Sequence, residues 1–197
     1  MVNIENKRPN NQFYVVWVIL SIVSFFSAFV VYILAMNIYN NITGGYIFIN
    51  GERHIAEDYL LPFILWPAYA LLYGYLQSLI LRKYFGQLGW WVLATGLSLP
   101  FTIFSLDIGR SITAALGLDI YSVWLLIIQF VLFGGVIGVA QWFVLRRHVQ
   151  HAFWWIPANI IGWGLGASIN PLGPLLLILM PAIITSVTLY LLLRPAS

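Results

Sequence analysis

The sequence predicts an all-α integral membrane protein: a six-helix transmembrane bundle with two parallel helical-hairpin repeats and a small outer β-hairpin. Three observations predict it. Of 197 residues, 61% are hydrophobic and only 8% are charged, against roughly a quarter charged in ordinary soluble domains. The mean hydropathy is +0.91, and several apolar runs reach the ~20 residues that cross a bilayer as a helix. Finally, one block occurs twice, 64 residues apart. Residues 74–95 and 138–159 share Gly74/Gly138, Gln77/Gln141, Leu81/Leu145, Arg82/Arg146, Trp90/Trp154, Trp91/Trp155 and Ala94/Ala158 without a gap, while Lys83/Arg147 and Val92/Ile156 keep their character.

The apolar segments are 13–36, 59–82, 88–107, 121–145, 152–169 and 174–193. Each is expected to be a helix, because a backbone facing lipid must satisfy its own hydrogen bonds. Together they make one transmembrane domain spanning 1–197. The first follows Lys7 and Arg8, is too long for the apolar region of a signal peptide and lacks an A-x-A cleavage pattern, so it reads as a retained span. After it, the stretch Gly44 to Ile55 alternates around Asn50-Gly51, a strong turn signal for a β-hairpin. Pro62 and Pro67 in segment two, Pro100 in segment three and Pro181 in segment six each remove a backbone donor and tend to kink a helix. Broken helices mark binding sites in transporters, and prolines are also ordinary in membrane helices. Segments five and six are joined by a tight Asn170-Pro171-Leu172-Gly173-Pro174 turn.

Six spans put both termini on one side. That side carries Lys7, Arg8, Arg82, Lys83, Arg146, Arg147 and Arg194, and the other carries only Arg53 and Arg110. The asymmetry predicts that both termini are cytoplasmic. The acidic residues agree: Glu52, Glu57, Asp58, Asp107 and Asp119 fall outside and only Glu5 inside.

Each repeat reads as a hairpin of two spans, so the copies run parallel about an axis near the membrane normal. Arg82, Lys83, Arg146 and Arg147 end a span at the headgroups. Trp90, Trp91, Trp154 and Trp155 open the next span at the same depth, as an aromatic belt of membrane anchors. Small residues recur at four-residue spacing, as Ala70-Gly74-Ser78, Gly134-Gly138, Ala94-Ser98-Thr102 and Ala158-Gly162-Gly166, a pattern that lets helix backbones approach closely in lipid. The equivalent polar pairs Gln77/Gln141 and Thr95/Asn159, with the unpaired Gln129, have two readings. Either they line a cavity or bind a ligand, or they hydrogen-bond across the bundle for roughly 1 kcal/mol or less each.

The outer loops offer Tyr46, Glu52, Arg53, His54, Glu57, Asp58, Asp107 and Arg110. These could form a small-molecule vestibule or a solvated cap with surface ion pairs. Asn41-Ile42-Thr43 matches a glycosylation acceptor, informative only in a eukaryotic secretory protein.

Much chemistry is not expected. There is no cysteine, so disulfides, iron–sulfur clusters, thiolate metal sites and a cysteine nucleophile are excluded. No ionisable residue falls near the middle of a predicted span, which argues against a proton-coupled pump or a charged-ring channel. His54, His148 and His151 lie in loops or at the interface, too far out to hold a haem; His148 and His151, beside Arg146 and Arg147, could touch a lipid phosphate. Gly166-Ala167-Ser168 faintly resembles a serine-nucleophile motif, with no histidine base at that depth. No enzyme, metal or cofactor is expected. The net charge of +3 and pI of 9.3 come from residues spread over short loops, so the expected contact is the lipid bilayer and not nucleic acid.

The Gln-x-x-x-Leu-Arg-Arg and Trp-Trp pattern at 74–95 and 138–159 resembles a group of bacterial multi-pass membrane proteins built on tandem Q-W-x-x-L-R-R…W-W hairpins. Here Gln77 is followed by Ser78 where those proteins have Trp, and Phe153 stands where they have Gly. The resemblance implies fold and membrane location and brings no activity. Two functions emerge as expectations. One is a structural or accessory subunit with a membrane-protein partner. The other is a small-molecule binding or transport component, similar in size and span number to the substrate-binding subunits of energy-coupling-factor vitamin transporters. Those present small residues on the first span to a partner, a role Ser24 and Ala28 match weakly here.

Overall fold

The computed structural model describes residues 12–86, 89–98, 100–118, 123–170 and 174–193. Lys7, Arg8, Asp119, Arg194 and Pro171-Leu172-Gly173 of the expected turn lie outside the described residues, as do the side chains of Glu57, Asp58, Pro100 and Asp107. The elements run α1 (Gln12–Thr43), β1 (Tyr46–Ile49), β2 (Glu52–Ile55), α2 (Ala56–Phe85), α3 (Gly89–Leu97), α4 (Pro100–Ala115), α5 (Val123–Leu145), α6 (Trp155–Ile169) and α7 (Pro174–Leu192). One 3-10 turn, Ala152–Trp154, leads into α6. Among the described residues, α1, α5 and Leu175–Leu192 of α7 are long and apolar enough to cross a membrane. The protein is a mostly helical membrane protein with a two-stranded sheet.

Helix α1 is apolar on every side yet buries one stripe only: Phe13, Trp17, Ser21, Ser24, Ala28, Tyr32 and Met36. That three- and four-residue spacing is a single helical face. The opposite face leaves Val15, Ile19, Phe26, Val30 and Leu34 exposed, and an all-round apolar helix of this kind suits lipid and not water. Ser24 and Ala28, expected to face a partner, are instead fully buried. They lie on the stripe that packs on α2 and α7.

The hairpin forms as expected. Tyr46 pairs with Ile55 and Ile49 with Glu52. Asn50 and Gly51 both take positive φ, 50° and 85°, as a type I′ turn requires. The Tyr39 hydroxyl donates to the Tyr46 carbonyl at 3.2 Å and the Ala56 amide to Gly45 at 3.0 Å, tying the hairpin to the helices on either side.

The third apolar segment is not one helix. Instead of a single element over 88–107, α3 ends at Leu97 and α4 starts at Pro100, running on to Ala115. A proline is disfavoured as the continuation of a helix and is favoured in the first turn of a new one, the place Pro100 takes in α4. Asp107 and Arg110 therefore lie on a helix and not in a loop. The other prolines do not interrupt: α2 runs through Pro62 and Pro67, and α7 through Pro181.

The helices close a ring. α1 packs on α2, α2 on α3, α3 on α5, α5 on α6, α6 on α7 and α7 on α1, with α4 lying against α5. Two core clusters fill it. One holds Tyr32, Tyr69, Phe133, Trp163 and Ile178; the other holds Trp17, Leu81, Trp91, Leu145, Trp155 and Leu189. In the second half of the chain, glycines let backbones touch. A methyl group on Gly134 would come within 2.6 Å of the Asn159 carbonyl oxygen, on Gly162 within 2.7 Å of Pro181 Cα, and on Gly166 within 2.8 Å of the Leu177 carbonyl oxygen. That last carbonyl is the one from which Pro181 withholds a helical donor. Other glycines meet side chains: Gly74 faces Thr95, Gly96 faces Leu71, Gly109 faces Gln129 and Gly164 faces Val131.

Candidate functional site

Residues 74–95 and 138–159 each carry a Gln–Trp hydrogen bond. Trp91 Nε1 donates to Gln77 Oε1 at 3.1 Å, and Trp155 Nε1 donates to Gln141 Oε1 at 2.9 Å. A buried indole N–H needs an acceptor, and a glutamine amide can accept on its oxygen while donating from its nitrogen. Gln141 does both. Its Nε2 donates to Thr95 Oγ1 at 2.8 Å, and Thr95 donates in turn to the Trp91 carbonyl at 2.8 Å. The two Gln–Trp pairs are thereby joined, and the Trp91 and Trp155 rings lie 5.7 Å apart. Gly74 and Gly138 supply the closeness: a methyl group on Gly74 would sit 2.8 Å from Thr95 Cβ, and one on Gly138 3.2 Å from Asn159 Cβ. Asn159 Nδ2 donates to the Trp155 carbonyl at 2.9 Å.

The identical positions thus divide by direction. Gly74, Gly138, Gln77, Gln141, Leu81, Leu145, Trp91 and Trp155 point inward, whereas Arg82, Arg146, Trp90 and Trp154 point outward. The sequence reading sets Trp91 and Trp155 at the headgroups; both are instead 0% exposed. Adjacent helical residues differ by about 100°, so two consecutive tryptophans cannot share one face. Trp90 and Trp154 are 69% and 56% exposed.

Four further polar residues join this centre. Trp17 Nε1 donates to Thr185 Oγ1 at 3.2 Å, and Thr185 donates to the Pro181 carbonyl at 2.6 Å. The Tyr73 hydroxyl lies among the side chains of Ser21, Thr185 and Gln77. The signal for them in the sequence is weak: Trp17 and Ser21 precede Ser24 and Ala28 on one helical stripe, and Thr185 sits one turn after Pro181. Gln77 Nε2 and Trp163 Nε1 are buried with no acceptor among the described residues. The network is made of neutral groups that hold helices in register.

The eight polar residues of the expected outer vestibule divide between two places. Tyr46, Glu52, Arg53 and His54 lie on the hairpin and Glu57 and Asp58 in the first turn of α2, whereas Asp107 and Arg110 lie on α4, which packs on α5. On the hairpin, the Arg53 guanidinium stacks 3.3 Å from the Tyr46 ring centroid, and His54 approaches Glu52 at 3.8 Å. Gln129 lies against Gly109 on α4.

A shallow cavity of about 580 Å³ opens between the end of α5 and the start of α6, lined by Arg146, Arg147, His148, Gln150, His151 and Phe153, with Trp142 at its edge. Arg146 stacks on Trp142 and Phe143, 5.0 and 4.6 Å from their centroids. His148 stacks on Phe85 from the other hairpin at 5.1 Å. Partial burial, and then the charge of Arg147, push the His148 pKa below its ordinary value of 6.5, so its imidazole is neutral at pH 7. Neither arginine forms an ion pair among the described residues, and no Asp or Glu follows Asp119 in the chain. Among the described residues, no three His, Asp or Glu gather as metal ligands.

No family model, no curated protein and no solved structure matches the chain.

Proposed function

We propose that the protein is a multi-pass component of a bacterial cytoplasmic membrane and serves there as a non-enzymatic structural or accessory subunit of a membrane complex. In this reading it has six spans, cytoplasmic termini and two parallel hairpin repeats. α3 and α4 together make the third span: nine residues rise only ~14 Å, well short of the ~30 Å hydrocarbon core. One observation carries the functional reading. Apart from Gln77 Nε2 and Trp163 Nε1, the buried amides, indoles and hydroxyls described at the centre of the ring bond to one another and to backbone carbonyls, which supports a role in helix packing. The recurrence of the Gln–Trp bond supports the repeat.

Two measurements test this. Native mass spectrometry of the tagged protein, extracted gently from its host membrane, should show a reproducible protein partner; a protein that emerges alone from repeated preparations would count against the accessory role. For topology, Asn50→Cys should react with an impermeant thiol reagent on intact cells and Phe85→Cys should not. The absence of native cysteine keeps this experiment clean, and reversed labelling would overturn the orientation.

A second reading, a small-molecule binding or transport component, is favoured by the discontinuity between α3 and α4, since interrupted helices line transporter sites. It expects a bound small molecule in the same spectra, lost when Glu57 and Asp107 are both replaced by Ala. The burial of Ser24 and Ala28 removes one argument for it.

A further inference from the structure

The two hairpin loops begin with the same basic pair and then diverge. In the first block, Arg82 and Lys83 lead into Tyr84, Gly86 and Gln87; in the second, Arg146 and Arg147 lead into His148, Gln150 and His151. The second loop therefore adds two imidazoles, and both line the cavity between α5 and α6 together with Gln150. Gly74/Gly138, Gln77/Gln141, Leu81/Leu145 and Trp91/Trp155 stay identical and inward in the two blocks, whereas these loop residues differ.

We propose that the groove formed by Arg146, Arg147, His148, Gln150 and His151 is a binding site for a phosphate group. The chemistry of the lining is all on the donor side. Two guanidiniums present planar forks that match phosphate oxygens, and the imidazoles and an amide add further N–H donors. No carboxylate side chain lines the cavity among the described residues. Arg146 is held over the Trp142 and Phe143 rings, so less side-chain freedom is lost when it binds. The surroundings suit an amphipathic phosphate. Phe143, Phe153 and Trp154 are 48%, 49% and 56% exposed and flank the cationic groove with apolar surface. A phospholipid headgroup and a soluble phosphate ester share this chemistry, and the experiment separates them.

Full-length protein in neutral detergent would be titrated with short-chain phosphatidylglycerol, with the matching diacylglycerol and with inorganic phosphate, and bound ligand read by native mass spectrometry. Phosphatidylglycerol should bind, diacylglycerol should not, and R146Q/R147Q should weaken phosphatidylglycerol about tenfold or more, since charge-assisted hydrogen bonds contribute ~1.5–3 kcal/mol each. R82Q/K83Q, the equivalent pair without the imidazoles, should change it less than about twofold. If millimolar inorganic phosphate displaces the lipid in an arginine-dependent way, the site takes soluble phosphates; if only the lipid binds, it takes headgroups. Both results support a phosphate site. Equal binding of diacylglycerol, no loss in R146Q/R147Q, or an equal loss in R82Q/K83Q overturns it. Should the arginine variant fail to fold, H148Q/H151Q carries the test: a drop of about threefold or more is expected, and unchanged affinity refutes the proposal.

Discussion

Gly162→Leu should lower stability by about 3 kcal/mol, the upper part of the usual range for overpacking. For a chain of this size that is roughly a 6–12 °C fall in the thermal midpoint in detergent. The cause is the identity of the neighbour. A side chain on Gly162 meets Pro181 Cα at 2.7 Å, and a backbone atom inside α7 cannot rotate away. The two helices would have to part, and the next contact along the same face, Gly166 against Leu177, would open with it. Gly96→Leu is the matched comparison. Its new atoms meet the Leu71 side chain at 2.9 Å, a group with rotamers to spare, so the loss should stay within about 1 kcal/mol, helped by leaving glycine's poor helix propensity behind. Equal losses at the two sites would show that the α6–α7 backbone contact is not formed.

The second large effect is an asymmetry between two residues that occupy equivalent positions. Gln141→Leu takes the acceptor from Trp155 Nε1 in a fully buried ring and the donor from Thr95. An orphaned buried donor costs about 1–3 kcal/mol, and a lost interhelical bond in a membrane protein adds ~0.6, so a loss of about 2–3 kcal/mol is expected. Gln77→Leu also orphans an indole, that of Trp91. It simultaneously removes an amide nitrogen that is buried without an acceptor, and the offset should keep the loss to about 1 kcal/mol. Equilibrium unfolding of both variants in mixed micelles would read the difference. The pair Gln141→Leu with Trp155→Phe should recover part of the loss, because deleting both partners removes the penalty of the unmatched donor. If Gln77→Leu proved as costly as Gln141→Leu, the bond between the hairpins through Thr95 would not be a stabilising link.

Some of this can be read directly from the chain. Asn50-Gly51 between alternating residues dictates a hairpin, because few other pairs accept two positive φ angles. The glycines at 134, 138, 162 and 166 announce close helix contacts by their spacing alone. Other features depend on tertiary context. Pro62, Pro67, Pro100 and Pro181 look alike in sequence, yet only Pro100 coincides with a break. At Pro181 the helix continues where α6 brings Gly162 against it, a neighbour that comes only from folding. The tryptophan pairs are ambiguous for another reason. Both members are repeated, so repetition cannot say which faces the core. The glutamine fourteen residues earlier settles it, since Trp91 and Trp155 both bond to it, but its reach across a hairpin is legible only once the hairpin exists. The network around Tyr73 is illegible because serine and threonine in membrane helices usually bond to their own backbone, as Ser21 and Ser24 also do here.

The contrast between glycines that meet backbone and glycines that meet side chains has a consequence for motion. Helices in main-chain contact move only as a unit, whereas helices separated by a rotatable side chain can loosen one at a time. The protein should therefore be graded along its length. The α5–α6–α7 half should exchange its amide hydrogens only in global unfolding, while α3 and α4, interrupted at Pro100, should exchange through smaller excursions of lower free energy. On that expectation the conformational freedom lies in α3 and α4, with α5, α6 and α7 as the firmer body against which they move.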